Sequence, residues 1–414
     1  MRIGFCTKIF ALAAAVLLCC SAVASAQEEY RRGYDLYRQG QYRQALQIFQ
    51  RVVEEYPEWH FGQFMLGKCH KALGNRDDAI TALARSVELA DNEDASFNSN
   101  YELADLYYEA RSYARALEYV NACKRLSSSR YYARALPNLR VIEGFSLFNR
   151  GQHQQAINAF KPMVDDGSAS ANVLKTYAKC YQELGQNNEA VRIIQQVVQM
   201  DPNDLAAHKI LVKSYLNGGQ LRNAIQAADF ALRTFPEDWE LHYLRGNAYF
   251  QQSRSSAQAV SSLREAVRLS SRVHYVNKML GDAYAARGEW ANAAQQYNIA
   301  QAGSNQNGDS YASDPIFYYN FAFAWYAFVP EDCQRFHNTS EQGRYQTALE
   351  NAQGFLDRAE ELGFDAAQIN GMRLGINNKN ERLEKGLTTT VEMEGRINPE
   401  TGQIEWVPKD QNDQ

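Results

Sequence analysis

The residues best able to hold a metal or act as nucleophiles are seven histidines and seven cysteines. His60, His70, His153, His208, His242, His274 and His337 include no HExxH pair, the spacing that brings two imidazoles on one helix face to one zinc ion. Cys6, Cys19 and Cys20 fall within 1–26. Cys69, Cys123, Cys180 and Cys333 are scattered singly, with no CxxC, so they form neither a zinc site nor a disulfide framework. There is no phosphate-cradling GxxxxGK[ST] and no GxSxG nucleophile elbow. The reading is therefore no enzyme, no cofactor and no metal. A catalytic alternative would need a hydrolase site hidden in 304–386 or between repeats. Binding chemistry remains, and its carriers are lysine, 25 tyrosines and 19 phenylalanines.

Residues 1–26 read as a secretory leader. Arg2 and Lys8 give the charged start, IFALAAAVLLCCSAV the apolar run, and Ala24-Ser25-Ala26 the small-residue cleavage site. The expectation is an exported protein, periplasmic in a bacterium. No later apolar run reaches the length of a membrane span. A formal net charge of -5, more negative once Arg2 and Lys8 leave with the leader, argues against a nucleic-acid partner, which needs excess cations.

The elements that must position any binding residues are repeated. A small residue followed twelve positions later by alanine occurs at Gly33/Ala45, Gly67/Ala79, Ala104/Ala116, Gly144/Ala156, Ala178/Ala190 and Gly281/Ala293. Val212/Ala224 has a larger first member, and Gly246/Ala259 has one extra residue. A glycine five residues before the alanine marks a turn at Gly40, Gly74, Gly151, Gly185, Gly219 and Gly288; the third copy has Arg111 there, and the seventh, with its extra residue, has Ser253 six before. Spacings of three and four on either side describe two amphipathic helices packed at their small residues. From Ala45 to Ala293 the alanines advance by 34, 37, 40, 34, 34, 35 and 34. Pro57, Pro202 and Pro236 stop second helices. The surplus residues near 91–97 and 126–136 are expected to emerge as loops.

Each copy resembles the tetratricopeptide repeat, whose 34-residue period carries small-residue, aromatic, alanine and proline positions. LGDAYAARGEWANAAQQYNIA, residues 280–300, matches best, and the resemblance covers eight copies over 27–303. It implies an all-α, right-handed superhelical solenoid whose first helices line a concave groove, with groove residues three before and one after each small residue. Those positions hold Tyr30, Tyr34, Phe64, Lys68, Tyr101, Asp105, Val141, Phe145, Lys175, Lys179, Lys209, Lys213, Tyr243, Asn247, Lys278 and Asp282; one turn on come Tyr37, Tyr108, Phe148 and Phe250. The groove is then aromatic at its N-terminal end, with four lysines in its middle that suit an acidic segment. Asparagine of the chaperone-type carboxylate clamp is replaced by Lys179 and Lys213.

Residues 304–386 read as a degenerate ninth hairpin around the aromatic IFYYNFAFAWYAF, followed by a polar capping helix. The tail, 387–414, alternates like a small β-hairpin with Trp406 as its anchor, docked in cis or on a partner. Asn338-Thr339-Ser340 matches a glycosylation sequon. The expected function is a non-catalytic protein–protein interaction scaffold or adaptor of the cell envelope that binds a segment of another envelope protein. A glycan-binding scaffold in polysaccharide export is the alternative.

Overall fold

The structure, a computed structural model, describes residues 27–270, 273–307, 313–331, 339–385, 393–397 and 404–408. The leader, Cys333, His337 and Asn338 lie outside these residues, as do the side chains of the tail, Trp406 included. Two compact units divide the chain, one ending at Ile193 and one beginning at Ile194.

The first unit holds α1 (27–38), α2 (Tyr42–Glu55), α3 (His60–Ala72), α4 (Arg76–Glu88), α5 (Glu93–Glu109), α6 (Tyr113–Arg125), α7 (Tyr132–Asn149), α8 (His153–Asp165) and α9 (Ala171–Glu183). The boundary falls inside α10 (Asn187–Met200). The second unit continues with α11 (Leu205–Asn217), α12 (Leu221–Thr234), α13 (Trp239–Gln252), α14 (Ala257–Leu269), α15 (His274–Ala285) and α16 (Trp290–Asn307). It ends with α17 (Pro315–Phe328), α18 (Thr339–Glu361), α19 (Ala366–Lys385), β1 (Met393–Ile397) and β2 (Ile404–Pro408).

Each hairpin closes on a size match that the small-residue pairs only half describe. A Cβ on Gly33 would lie 2.8 Å from Phe49, on Gly67 2.6 Å from Leu83, on Gly246 2.7 Å from Leu263 and on Gly281 2.6 Å from Tyr297; on Gly144 it would overlap the Phe160 ring. The filling side chain keeps one fixed offset from its glycine, lengthened by a single position only for Leu263, in the copy with the extra residue. Where the small position is Ala104 or Val212, the side chain at that offset shrinks to Val120 or Ala228, all of them fully buried. Bulk is thus traded across the helix pair so that the axes keep a close approach.

The turns follow suit. Gly74 has φ +80°, its N–H donates to Lys71 O at 3.0 Å, and Asn75 N–H reaches His70 O at 2.9 Å, the Schellman arrangement that ends α3. Arg111 occupies the same place with φ 57°, a conformation that costs a side-chain-bearing residue. Ser253 escapes it, at φ -152°, because its copy has the additional residue.

In the first unit α3, α5, α7 and α9 touch one another in succession, and each also packs on the even helix after or before it. α11, α13 and α15 do the same in the second. The odd helices therefore form the inner layer of each stack. The surplus residues do not loop out at 91–97 as expected. They lengthen α5 at its N-terminus, where the Asn92 side chain accepts from Ala95 N–H at 2.9 Å and Glu93 and Asp94 face the positive helix end.

At the end of the second unit α17 is buried on nearly every side, from Phe317 to Tyr326. The capping helix α19 is less solvated than its composition implies. Lys379 and Arg382, 2% and 5% exposed, point at the C-terminal end of α17. Lys379 Nζ donates to Val329 O at 2.8 Å and pairs with Glu331 at 2.8 Å; Arg382 donates to Glu331 O at 3.0 Å. Two cations thus satisfy the carbonyl end of an apolar helix. β1 and β2 pair antiparallel, Met393 opposite Pro408 and Ile397 opposite Ile404, and β2 runs beside α19.

Candidate functional site

The inner helices of the first unit carry a continuous row of half-buried rings. Tyr30 and Tyr34 stack at 6.1 Å on α1, and Tyr37 lies one turn on. On α3, the Lys68 ammonium sits 5.7 Å from the Tyr37 ring and 5.5 Å from that of Phe64. The Tyr101 hydroxyl on α5 accepts from Asn138 Nδ2 of α7 at 2.6 Å. Tyr108 meets Phe145 of α7 at 6.4 Å, and Phe148 packs edge-on against His153 of α8 at 5.6 Å. Residues chosen from one helix at a time are thus joined into seams between consecutive inner helices.

The charges on this face cancel. Lys68 Nζ pairs with Glu102 at 2.9 Å; Lys71 Nζ pairs with Glu102 at 2.7 Å and Asp105 at 2.6 Å. Burial alone would raise the Glu102 carboxyl, but the two lysines outweigh it and hold it below the usual carboxylate range. Burial likewise pushes Lys68 and Lys71 down, and the carboxylates more than reverse it, leaving both raised. Lys71 and Glu102 were not among the residues read from the sequence. A usable signal was present: Lys68 and Asp105 each stand one residue after the small packing residue of their copy, so equivalent positions in adjacent copies carry opposite signs.

The lysine cluster is corrected in the same way. Lys209 is not an open cation, because Asp238 at 2.8 Å and Glu240 at 2.9 Å hold it from the start of α13. Burial lowers it and these two partners together raise it above its ordinary value. Lys278 is paired with Asp282 at 2.9 Å, whose other oxygen accepts from the Tyr297 hydroxyl at 2.7 Å. Lys175 is half-buried and Lys179 exposed in the first unit; Lys213 is exposed in the second. Tyr243 makes an edge contact with Tyr275 of α15 at 5.1 Å, and Asn247 Oδ1 accepts from Gln251 at 3.1 Å. Phe250 is 6% exposed and belongs to the core beside Ala259 and Leu263, so it offers no inner-face ring.

Other chemistry is sparse. Cys69, Cys123 and Cys180 are buried free thiols, each pushed up to about 12 by burial, hence poor nucleophiles. Among the described residues no three His, Cys, Asp or Glu side chains gather as metal ligands, and no helix is long and apolar enough to cross a membrane. An outer-side cleft of about 710 Å³ between α6, α7 and α8 is lined by both signs of charge, and its Lys124 and Glu143 already pair at 2.5 Å.

Comparison with known proteins matches this architecture. Two family models described as tetratricopeptide repeat match residues 36–99 and 147–213, and residues 210–272 and 254–308, together more than half the chain. The chain belongs to the tetratricopeptide repeat family. No curated protein sequence matches it. Similar solved structures include the C-terminal part of a TPR repeat-containing protein from Cytophaga hutchinsonii, with 18% identity and a TM-score of 0.47, covering 66% of this chain and 99% of that one. A tetratricopeptide repeat protein from Parabacteroides merdae shows 16% identity and a TM-score of 0.40 over 63% of this chain and 98% of its own. YrrB, described as a TPR protein with an unusual peptide-binding site, shows 17% identity and a TM-score of 0.38, covering 52% and 98%. Tetratricopeptide repeats in general serve as protein–protein interaction scaffolds.

Proposed function

We propose that this protein is an exported, non-catalytic scaffold of the cell envelope that holds a segment of another envelope protein on the inner face of its first unit. One observation carries the reading: Tyr37, Phe64, Tyr101, Tyr108 and Phe145 follow one another across four inner helices, half-buried, with their intervening charges neutralised. Rigid rings provide contact area at low entropic cost, as partner-binding surfaces require. Export rests on the leader read from residues 1–26, and the acidic composition speaks against nucleic acid.

Photo-crosslinking in cells tests it. A photoreactive residue at 101 or 108 of the full-length protein is expected to give one dominant adduct with an exported protein, weakened severalfold by Phe64→Ala. The same residue at Glu118, on outer helix α6, is the control. Equal labelling from both faces, or none from 101 and 108, removes the groove. Protection of the inner face by a neutral oligosaccharide, without a protein adduct, would favour the glycan alternative.

A further inference from the structure

On the outer side of the second unit one cleft differs in chemistry from its counterparts. It holds about 310 Å³ between the end of α10, α11 and α12, and its apolar walls are Val198, Leu211, Tyr215, Ala227 and Phe230. No charged residue lines it, whereas the outer clefts beside α7 and α15 are each lined by charges of both signs. Its remaining wall groups are largely fixed. His208, 1% exposed, is tied through Nε2 to Pro202 O at 2.9 Å, and the Tyr215 hydroxyl accepts from Gln195 Nε2 at 2.8 Å. Phe230 stays 52% exposed, its ring 5.8 Å from that of His208. The Gln226 amide also lines the cleft and has no hydrogen-bond partner among the described residues.

The same helix places cations at both ends of this face. Arg222 and Arg233 are eleven residues apart, three turns, so they return to nearly one line on α12 about 16 Å apart, with Gln226 and Phe230 between them. Both are exposed, and neither guanidinium has an ion pair or hydrogen bond among the described residues. Arg268 and Arg287 at the cleft beside α15 are held by Glu265 and Glu289, each at 2.6 Å. Within a chain of net charge -5, two uncompensated arginines therefore bracket an uncharged cleft.

We propose that this cleft is a second binding site, separate from the inner face, for an extended acidic polypeptide segment with one large apolar side chain between two carboxylates. The apolar side chain enters beside Phe230, and the carboxylates meet Arg222 and Arg233. Gln226, donor and acceptor at once, pairs with the main chain of the segment. Spanning about 16 Å takes about five residues of extended chain, which sets the spacing of the carboxylates. Charge complementarity selects this occupant. A basic segment is repelled at both ends. A second copy, docked by antiparallel pairing of α12 with each Phe230 beside the other's Gln226, would set Arg222 of each against Arg233 of the other.

Selection of a random dodecapeptide phage library on the intact chain tests the site, with synthesised winners measured by fluorescence anisotropy. One class of winners is expected to carry tryptophan, phenylalanine, leucine or methionine between acidic residues about five apart. Its affinity should fall on the order of tenfold between about 0.05 and 0.5 M salt, as the ion pairs are screened. Phe230→Ala is expected to weaken this class about tenfold, the effect of losing a central ring contact. Arg222→Gln combined with Arg233→Gln should weaken it severalfold and remove the salt dependence. All three side chains are exposed, so melting temperatures should hold; if Phe230→Ala lowers its own, the arginine pair carries the test. Winners without acidic residues, winners indifferent to these variants, or no winners at all overturn the site. Winners that respond only to Phe64→Ala and Tyr101→Ala uphold the inner-face reading and overturn this one. Sedimentation of the intact chain completes the test: a dimer abolished by Phe230→Ala would assign the cleft to a second copy and overturn the acidic segment.

Discussion

Copies three and four are neighbours in the first unit and solve the same packing problem with different chemistry. The copy-three inner helix α5 is tied to its predecessor by ions, Glu102 and Asp105 receiving Lys68 and Lys71. Copy four is tied to copy three by rings and one amide, Phe145 against Tyr108 and Asn138 to Tyr101. Asp105 and Phe145 are the same repeat position, each one residue after the small packing residue. Inside the hairpins the contrast recurs: Ala104 faces a helix that supplies Val120, whereas Gly144 faces Phe160. The repeat therefore fixes where helices meet and leaves open what they meet with.

The largest effect should come from moving one chemistry into the other. Gly144→Ala places a methyl inside the Phe160 ring; overpacking of about 3 kcal/mol exceeds the gain of about 1 kcal/mol from alanine in a helix, so copy four is destabilised by about 2 kcal/mol. Adding Phe160→Val recreates the Ala104/Val120 pair and should recover more than half of the loss. Native-state hydrogen exchange over 132–165 measures both. Equal loss in single and double variants would mean that the size match has no energetic content.

Next is the ionic seam. Glu102→Gln leaves two lysines short of a carboxylate at partly buried positions, and about 1.5 kcal/mol of protection in α3 and α5 should go. The pH dependence has a definite sign. The folded Glu102 carboxyl titrates below its usual range, so its contribution is complete above that range and disappears as pH falls through the depressed value. Lys68 and Lys71 are raised, so their contribution is complete below the ordinary lysine value and fades as pH rises through the raised one. Acid should loosen the α3–α5 seam before the α5–α7 seam, and exchange at the two seams followed from neutral pH downward reads the order. Simultaneous loosening would deny the ions this role.

The smallest effect concerns the turns. Arg111→Gly relieves a left-handed residue and should stabilise copy three by about 0.5 kcal/mol, the strain less the extra entropy of glycine. Gly151→Ala, at the equivalent turn of copy four, should cost about 1 kcal/mol. Thermal melting of the two variants side by side would show opposite signs; a shared sign would rule out turn strain as the cause.

How much of this was readable in advance depends on range. Gly67/Ala79 and its relatives disclosed the hairpins because helix packing recurs once per copy and leaves small side chains where axes approach. The filling residue, at its fixed offset, was equally available in the string, but Phe49, Leu83, Val120 and Tyr297 share no residue type, only a role. The inner-face positions came from the family resemblance rather than from the period itself. The fate of their charges was not read, since Lys209 looks open until Asp238 and Glu240 arrive from the next hairpin. Composition misled at α19, where Lys379 and Arg382 are spent on the carbonyl end of α17 rather than on solvent.

The size match across each hairpin also bears on how the gene can change. Eight similar copies invite unequal exchange between them. A breakpoint in the loop between two hairpins carries each glycine along with its own ring and yields a shorter or longer array that still packs. A breakpoint at the turn inside a hairpin would join Gly144 to Val120, leaving a void, or Ala104 to Phe160, forcing an overlap. The turn glycines are thus the places where the protein bends most readily and its lineage can be cut least.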